Sequence, residues 1–304
     1  MTSTAYLLIS HGSRDPRHQI AINRLAQLLR ERLNEDLSDV WPRPPVQTSE
    51  GVTEVRNVQS QSLQLLERQQ RELRMAVATA EPVAKSHGGA PNLGVRMRSP
   101  RGRCIVGTAV LEFAPLPLHQ QIAEFGRRLS SAGVKRLQLV PLFLLRGKHV
   151  MDDIPEEVAL AQHELGDLIE IKAGEHLGGY PAMAALIAKR LSHTPKKGRL
   201  LVAHGSRRAK GNRSVDKLAK SLGTDVAYWT NDSEIEHQTI QLMQQGCSTL
   251  TIFPYFLFAG GITDAVAHLT EELAERFPRT NFRLLPPLGA TADMANLLVK
   301  TLQH

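Results

Sequence analysis

Three side chains in this sequence of 304 residues could do metal or proton chemistry: His11, Glu112 and His149. Each is tied to an apolar run. His11 follows "AYLLIS" (5–10), Glu112 lies near the end of "GTAVLEF" (107–113), and His149 follows "RLQLVPLFL" (136–144). Open parallel sheets bind ligands beyond the carboxyl ends of their strands. A sheet that set these runs side by side would bring two imidazoles and a carboxylate to one edge. That set suits a divalent first-row metal, held weakly and with open positions. It equally suits removal of a proton near neutral pH. Singly, each residue has an ordinary reading: a His after a strand caps a helix or bonds to backbone, and a Glu there is solvated. Three at one edge favour a site.

Cations flank the same segments. Arg14, Arg146 and Lys148 could meet carboxylates on a ligand, Arg in bidentate fashion. Ser13 stands beside His11, and Gly12 and Gly147 let backbone approach a flat ligand closely. Ser13 is not in a G-x-S-x-G elbow, so the hydrolase pattern is weak. Ser10 stands where the Arg-His-Gly start of the histidine phosphatases needs its Arg, and "RGKH" is not a phosphate-binding loop.

These residues need elements to position them, and the chain alternates strand and helix throughout. The first half reads as strands over 5–10, 107–113, 136–144 and 168–174, with helices over 19–33, 118–133, 152–165 and 180–191. The second repeats the order, with strands over 199–204, 225–230, 249–258 and 281–288 and helices near 209–222, 233–245, 264–276 and 290–302. "HGSR" occurs at 11–14 and again at 204–207, an offset of 193. "HQQI" (119–122) matches "HQTI" (237–240) at 118, and "GVKRLQLVPLF" (133–143) matches "GCSTLTIFPYF" (246–256) at 113. The fall from 193 to 118 places an insertion of about 75 residues in the first half, at 35–104, far beyond ordinary loop length. Within it, 54–80 reads as a helix or coiled-coil arm and 86–103 as a mobile Gly/Pro/Arg-rich loop. The fold expected is α/β: two tandem domains, each a four-stranded, mainly parallel sheet with helices on both faces. The expected division is 1–194 and 195–304.

Composition narrows the function classes. The net charge is +7. Clustered basic motifs and aromatic stacking platforms are missing, which argues against nucleic acid and leaves a polyanionic small ligand open. Two cysteines far apart, Cys104 and Cys247, exclude a disulfide scaffold and an iron–sulfur cluster held within one chain. No apolar run reaches membrane-spanning length, and the start "MTSTAYLLISHGSRDP" is not a signal peptide, so the expected location is cytoplasmic without membrane contact.

With "LLISHGSRDPR", "GTAVLEFAPLPL", "LVPLFLLRGKHVMDDIP", "LLVAHGSRRAKGN" and "IFPYFLFAGGITD" in view, the sequence resembles the sirohydrochlorin chelatases, the class II chelatases of siroheme and cobalamin synthesis, in their two-domain bacterial form. The resemblance spans nearly the whole chain outside 35–104. It implies two fused α/β domains facing across a cleft and ATP-independent insertion of Fe²⁺ or Co²⁺ into sirohydrochlorin, with no organic cofactor. It implies catalytic roles for His11 and His149 as metal ligands or proton acceptors, with Glu112 as the acidic partner. Ser13, Arg14, Arg146, Lys148 and His204 are then expected around the polyanionic substrate. Contact with neighbouring enzymes of the tetrapyrrole pathway also follows from such a role. The tail "NLLVKTLQH" lacks a His-rich tract, which leans toward iron; Ni²⁺ is chemically admissible at an N/O site. A carrier that binds tetrapyrrole or metal without turnover is the competing reading. The second half places Thr230 opposite Glu112 and Ile262 opposite His149, so His204 is expected to be a relic or a substrate-contacting wall.

Overall fold

The computed structural model describes residues 4–38, 104–206, 211–231 and 233–302. The arm expected at 54–80 and the loop expected at 86–103 lie outside the described residues.

The described residues form two four-stranded parallel sheets. In the first, β1 (Thr4–Ser10), β2 (Ile105–Val110), β3 (Arg136–Pro141) and β4 (Glu170–Ala173) lie in the order β2-β1-β3-β4. In the second, β5 (Arg199–Ala203), β6 (Asp225–Tyr228), β7 (Thr249–Tyr255) and β8 (Asn281–Leu284) lie in the order β6-β5-β7-β8. All six strand pairs are parallel. The registers follow the sequence repeat residue for residue: Leu7 pairs with Gly107 and Leu139, and Leu200 with Asp225 and Ile252. β1 ends at Ser10 as expected, whereas the other strands end before the carboxyl limits expected of them; at β2 and β3 the chain turns away there into loops that carry the candidate site.

Eight α-helices accompany the sheets among the described residues: α1 (Pro16–Ser38), α2 (Leu118–Ser131), α3 (Ile154–Leu165), α4 (Ala182–Leu191), α5 (Arg213–Leu222), α6 (Glu234–Gln244), α7 (Gly261–Arg276) and α8 (Ala292–Leu302). Strand alternation decides which helix each side chain meets. On the first sheet, Leu8, Val106 and Val140 face Ile22, Leu25 and Leu29 of α1 and Met183 and Ile187 of α4 in one core cluster. That cluster continues into Leu201 and Phe253 of the second sheet and Met294 and Leu298 of α8, so α1, α4, α5 and α8 form a shared layer between the sheets. The outer face of the second sheet is covered by α6 and α7, through Leu200, Val202, Ile235, Leu242 and Val266. On the outer face of the first, Gly107 opens the space that the Phe125 ring of α2 fills against Leu7. Near-continuous apolar strands are what burial on both faces requires.

Polar links reinforce the shared layer. Lys189 Nζ bonds the Asp293 carboxylate at 2.9 Å, and the Arg190 guanidinium donates to the carbonyls of Pro287 and Leu288. No helix among the described residues is long and apolar enough to cross a membrane. Cys104 and Cys247 are free thiols, each partly buried.

Candidate metal centre

The site is built by three loops at the carboxyl edge of the first sheet. β1 ends at Ser10, and Gly12 adopts φ +91°. A Cβ on Gly12 would run into the Glu112 carbonyl oxygen, so glycine lets the ends of β1 and β2 close on each other. The ladder continues past the strands: Leu111 N–H donates to Ser10 O and Glu112 N–H to His11 O, both at 2.9 Å. β2 is an edge strand, and the Gln121 side chain occupies the free N–H and carbonyl of Val110. Phe113 then takes φ +62°. No strand continues through that conformation, which is why β2 ends at Val110 rather than at Phe113.

His149 arrives differently. The expected helix start at 152 is preceded by a π-helical turn, His149–Asp153, closed by Ile154 N–H on His149 O. Pro155 lacks the N–H that an α-helix would send back to Met151, and the wider turn accommodates this loss.

The three loops bring His11, Glu112 and His149 together, with one ligating atom of each within 4.8 Å of the others. His11 Nε2 lies 3.8 Å from Glu112 Oε2, and the two imidazole rings meet edge to face with centroids 4.8 Å apart. His11 and Glu112 remain nearly half exposed, which leaves room for an incoming ligand. His11 Nδ1 donates to the Gly12 carbonyl at 3.2 Å, and His149 Nδ1 to the Asp153 carboxylate at 2.7 Å. Each neutral ring therefore keeps its lone pair on Nε2. Asp153 also pairs with Lys148 at 3.4 Å. Partial desolvation acts to raise the Asp153 pKa, but hydrogen bonding from His149 and the charge of Lys148 outweigh it and hold the carboxyl below its ordinary value.

The remaining expected residues are placed as follows. The Arg14 guanidinium stacks 5.3 Å above the Phe113 ring. Arg146 Nε donates to Met151 Sδ, and Ser13 Oγ accepts the Asp15 N–H at 3.0 Å, so both are engaged within their own loops. His204 is exposed at the end of β5 and is not among the clustered ligating atoms. The second half keeps the backbone of the site: Gly205 has φ +86°, and Thr230 N–H donates to His204 O at 3.0 Å, as Glu112 does to His11. Thr230 and Ile262 correspond to Glu112 and His149, so the second half lacks the carboxylate and the second imidazole, and Ile262 lies in the first turn of α7 rather than in a π-helical turn.

Sequence reasoning missed the roles of four residues. Asp153 was visible as the second acid of "HVMDD", but only the π-turn shows that it meets His149. Arg17 grips Asp15 and, from the other half, Asp264, with Nη2 at 2.6 Å from each carboxylate. Nothing in sequence links residues 247 apart. His18 packs edge-on against Phe258 at 5.5 Å, so the segment before α7, like the first turn of that helix, touches the segment that follows His11. Phe113, within a quoted motif, gave no signal of its backbone conformation.

With this geometry in place, comparisons with known proteins become specific. The CbiX family profile matches residues 92–194 and again 198–304. The sirohydrochlorin ferrochelatase of Priestia megaterium is 26% identical over 189 residues, covering 56% of this chain and 69% of that protein. Among solved structures, the sirohydrochlorin chelatase SirB of Bacillus subtilis subspecies spizizenii, in complex with cobalt, matches 99% of this chain and 94% of its own at 18% identity and a TM-score of 0.58. SirB of Bacillus subtilis with Fe³⁺ matches the same shares at 14% identity and a TM-score of 0.63. At these identities the structural matches speak to the fold, whereas the family profile matches twice in succession and the two matches together cover more than half of the chain. This chain belongs to the CbiX family of sirohydrochlorin chelatases.

Proposed function

We propose that the protein inserts a divalent metal, Fe²⁺ or Co²⁺, into sirohydrochlorin without ATP, serving siroheme or cobalamin synthesis. The observation that carries this reading is the convergence of His11, Glu112 and His149 at one sheet edge. The chain divides at about residue 194: the first half carries the site, and the second repeats its fold with a degenerate edge.

The chemistry follows from the donor set. The metal is a substrate and must be released into the macrocycle, so a site of three ligands with open positions suits it better than a closed one. The two Nε2 lone pairs and the Glu112 carboxylate are soft enough and hard enough, respectively, for Fe²⁺, Co²⁺ or Ni²⁺. Insertion of M²⁺ releases the two protons carried by the macrocycle nitrogens. His11 and Glu112 are placed to accept them, since both are solvent-accessible and can pass protons to water. Arg14, Arg146 and Lys148 lie on the loops around the cluster and complement a polycarboxylate.

The test is anaerobic metal insertion into sirohydrochlorin, followed by absorbance, with Fe²⁺, Co²⁺ and Ni²⁺ in parallel. Acceleration over the uncatalysed reaction supports the reading, and the relative rates identify the metal. Binding of sirohydrochlorin without acceleration by any metal would make the protein a carrier.

A further inference from the structure

Phe113 is at odds with the rest of the fold. It is an aromatic residue with φ +62°, a region that bulky side chains avoid. The residue is 55% exposed, the second most exposed of the large apolar residues described. It follows Glu112 directly, and its ring centroid lies 6.4 Å from that of His11. Arg14 stacks on it at 5.3 Å, placing a cation beside an apolar surface.

The internal repeat supplies a control. Asn231 is the counterpart of Phe113, and asparagine tolerates the left-handed region far better than phenylalanine. Yet Asn231 does not adopt it. The same hydrogen bond, at 2.9–3.0 Å from the preceding residue to the histidine carbonyl, is made in both halves, and in the second the left-handed residue is Ser233, two positions beyond Asn231. A left-handed aromatic residue directly after the acid is particular to the half that holds His11, Glu112 and His149.

We propose that Phe113 is a substrate platform: its ring supports one face of a flat, polyanionic tetrapyrrole beside the His11–Glu112–His149 cluster, while Arg14 meets a peripheral carboxylate. The assignment rests on the chelatase reading and adds a residue to it. An exposed ring offers the macrocycle a matching π face, and desolvation on stacking restores the apolar burial that folding withheld from Phe113. The left-handed turn holds the ring out from the sheet edge instead of letting it fold back into the core.

The experiment compares wild type with Phe113→Asn and Phe113→Trp. Asn suits the backbone conformation, so it removes the ring without adding strain. Three quantities are read: affinity for metal-free sirohydrochlorin, affinity for Co²⁺ alone, and thermal midpoint. The expected result for Phe113→Asn is an affinity for sirohydrochlorin reduced about tenfold, with a matching rise in KM, unchanged Co²⁺ affinity and an equal or higher midpoint. Phe113→Trp keeps the affinity within about threefold, as replacement of one aromatic face by another should. Unchanged sirohydrochlorin affinity in Phe113→Asn overturns the proposal. So does a parallel loss of Co²⁺ affinity, which would make Phe113 a support for Glu112. Failure of the wild type itself to bind sirohydrochlorin overturns the chelatase reading and the platform with it.

Discussion

The Nδ1 of His149 lies 2.7 Å from the Asp153 carboxylate, four residues further on and across a π-helical turn. This contact occupies Nδ1 and leaves Nε2 of the ring to carry the lone pair. Partners of this kind to metal-binding histidines commonly change metal affinity or activity by about 10–100-fold when removed. Asp153→Ala is expected to lower the metal-insertion rate within that range, through weaker Co²⁺ binding, with sirohydrochlorin affinity retained. Asp153→Asn, whose amide oxygen still accepts from Nδ1–H, should recover part of the loss. Equal activity in all three proteins would show that His149 needs no such anchor.

The two HGSR segments are expected to differ in importance. His11→Ala and His149→Ala each remove a ligand from the cluster and should slow insertion by about a hundredfold or more. His204→Ala leaves that cluster intact and should retain most of the wild-type rate. Initial rates under metal-saturating conditions decide the matter, and equal losses at His11 and His204 would contradict the asymmetry.

Gly12 and Gly133 allow backbone strain to be separated from close approach. Both have positive φ, +91° and +79°, but only at Gly12 would a Cβ strike the neighbouring strand. Gly133→Ala is expected to cost about 1–2 kcal/mol from backbone conformation alone. Gly12→Ala should cost roughly 3 kcal/mol or more and should also disturb metal insertion, because Glu112 would have to move. Denaturant midpoints measure both costs, and similar values would remove the close-approach argument.

Arg17 ties the loop after His11 to the start of α7 through Asp15 and Asp264. The group is partly exposed, so Arg17→Ala should cost only about 1 kcal/mol or less at neutral pH. Its pH dependence is more telling. Hydrogen bonding from Arg17 holds the Asp15 carboxyl below its ordinary value. The unfolded chain therefore binds a proton at Asp15 before the folded one does, and stability falls as pH drops from the unfolded value near about 4 through the folded value. The stability difference between wild type and Arg17→Ala should be full above about pH 5 and shrink toward pH 3. A difference that does not change with pH would mean the Asp15 pair contributes nothing.

Much of this arrangement was legible in sequence, for identifiable reasons. The central strands β1, β5 and β7 are near-continuous apolar runs, as burial on both faces requires, whereas the edge strands β4 and β8 are short and largely exposed. The repeat offsets of 193, 118 and 113 translate directly into equal strand registers in the two sheets. His11, Glu112 and His149 were readable because they end such runs. Boundaries were less legible. The end of β2 depends on one residue, Phe113, adopting a conformation that its side chain disfavours. The start of the helix after β3 depends on the carbonyl that receives the Ile154 N–H.

The amino-acid sequence by itself determined the α/β class, the duplication, and which residue types stand at corresponding positions of the two halves. These follow from local pattern and residue identity, which need no knowledge of what lies across space. Tertiary structure alone decided the partners: Asp153 on His149, Asp264 on Arg17, Arg14 above Phe113, and the core shared by α1, α4, α5 and α8. Such contacts depend on a few ångströms of separation between segments far apart in the chain. Only the packing of the two sheets through their common helical layer sets those distances.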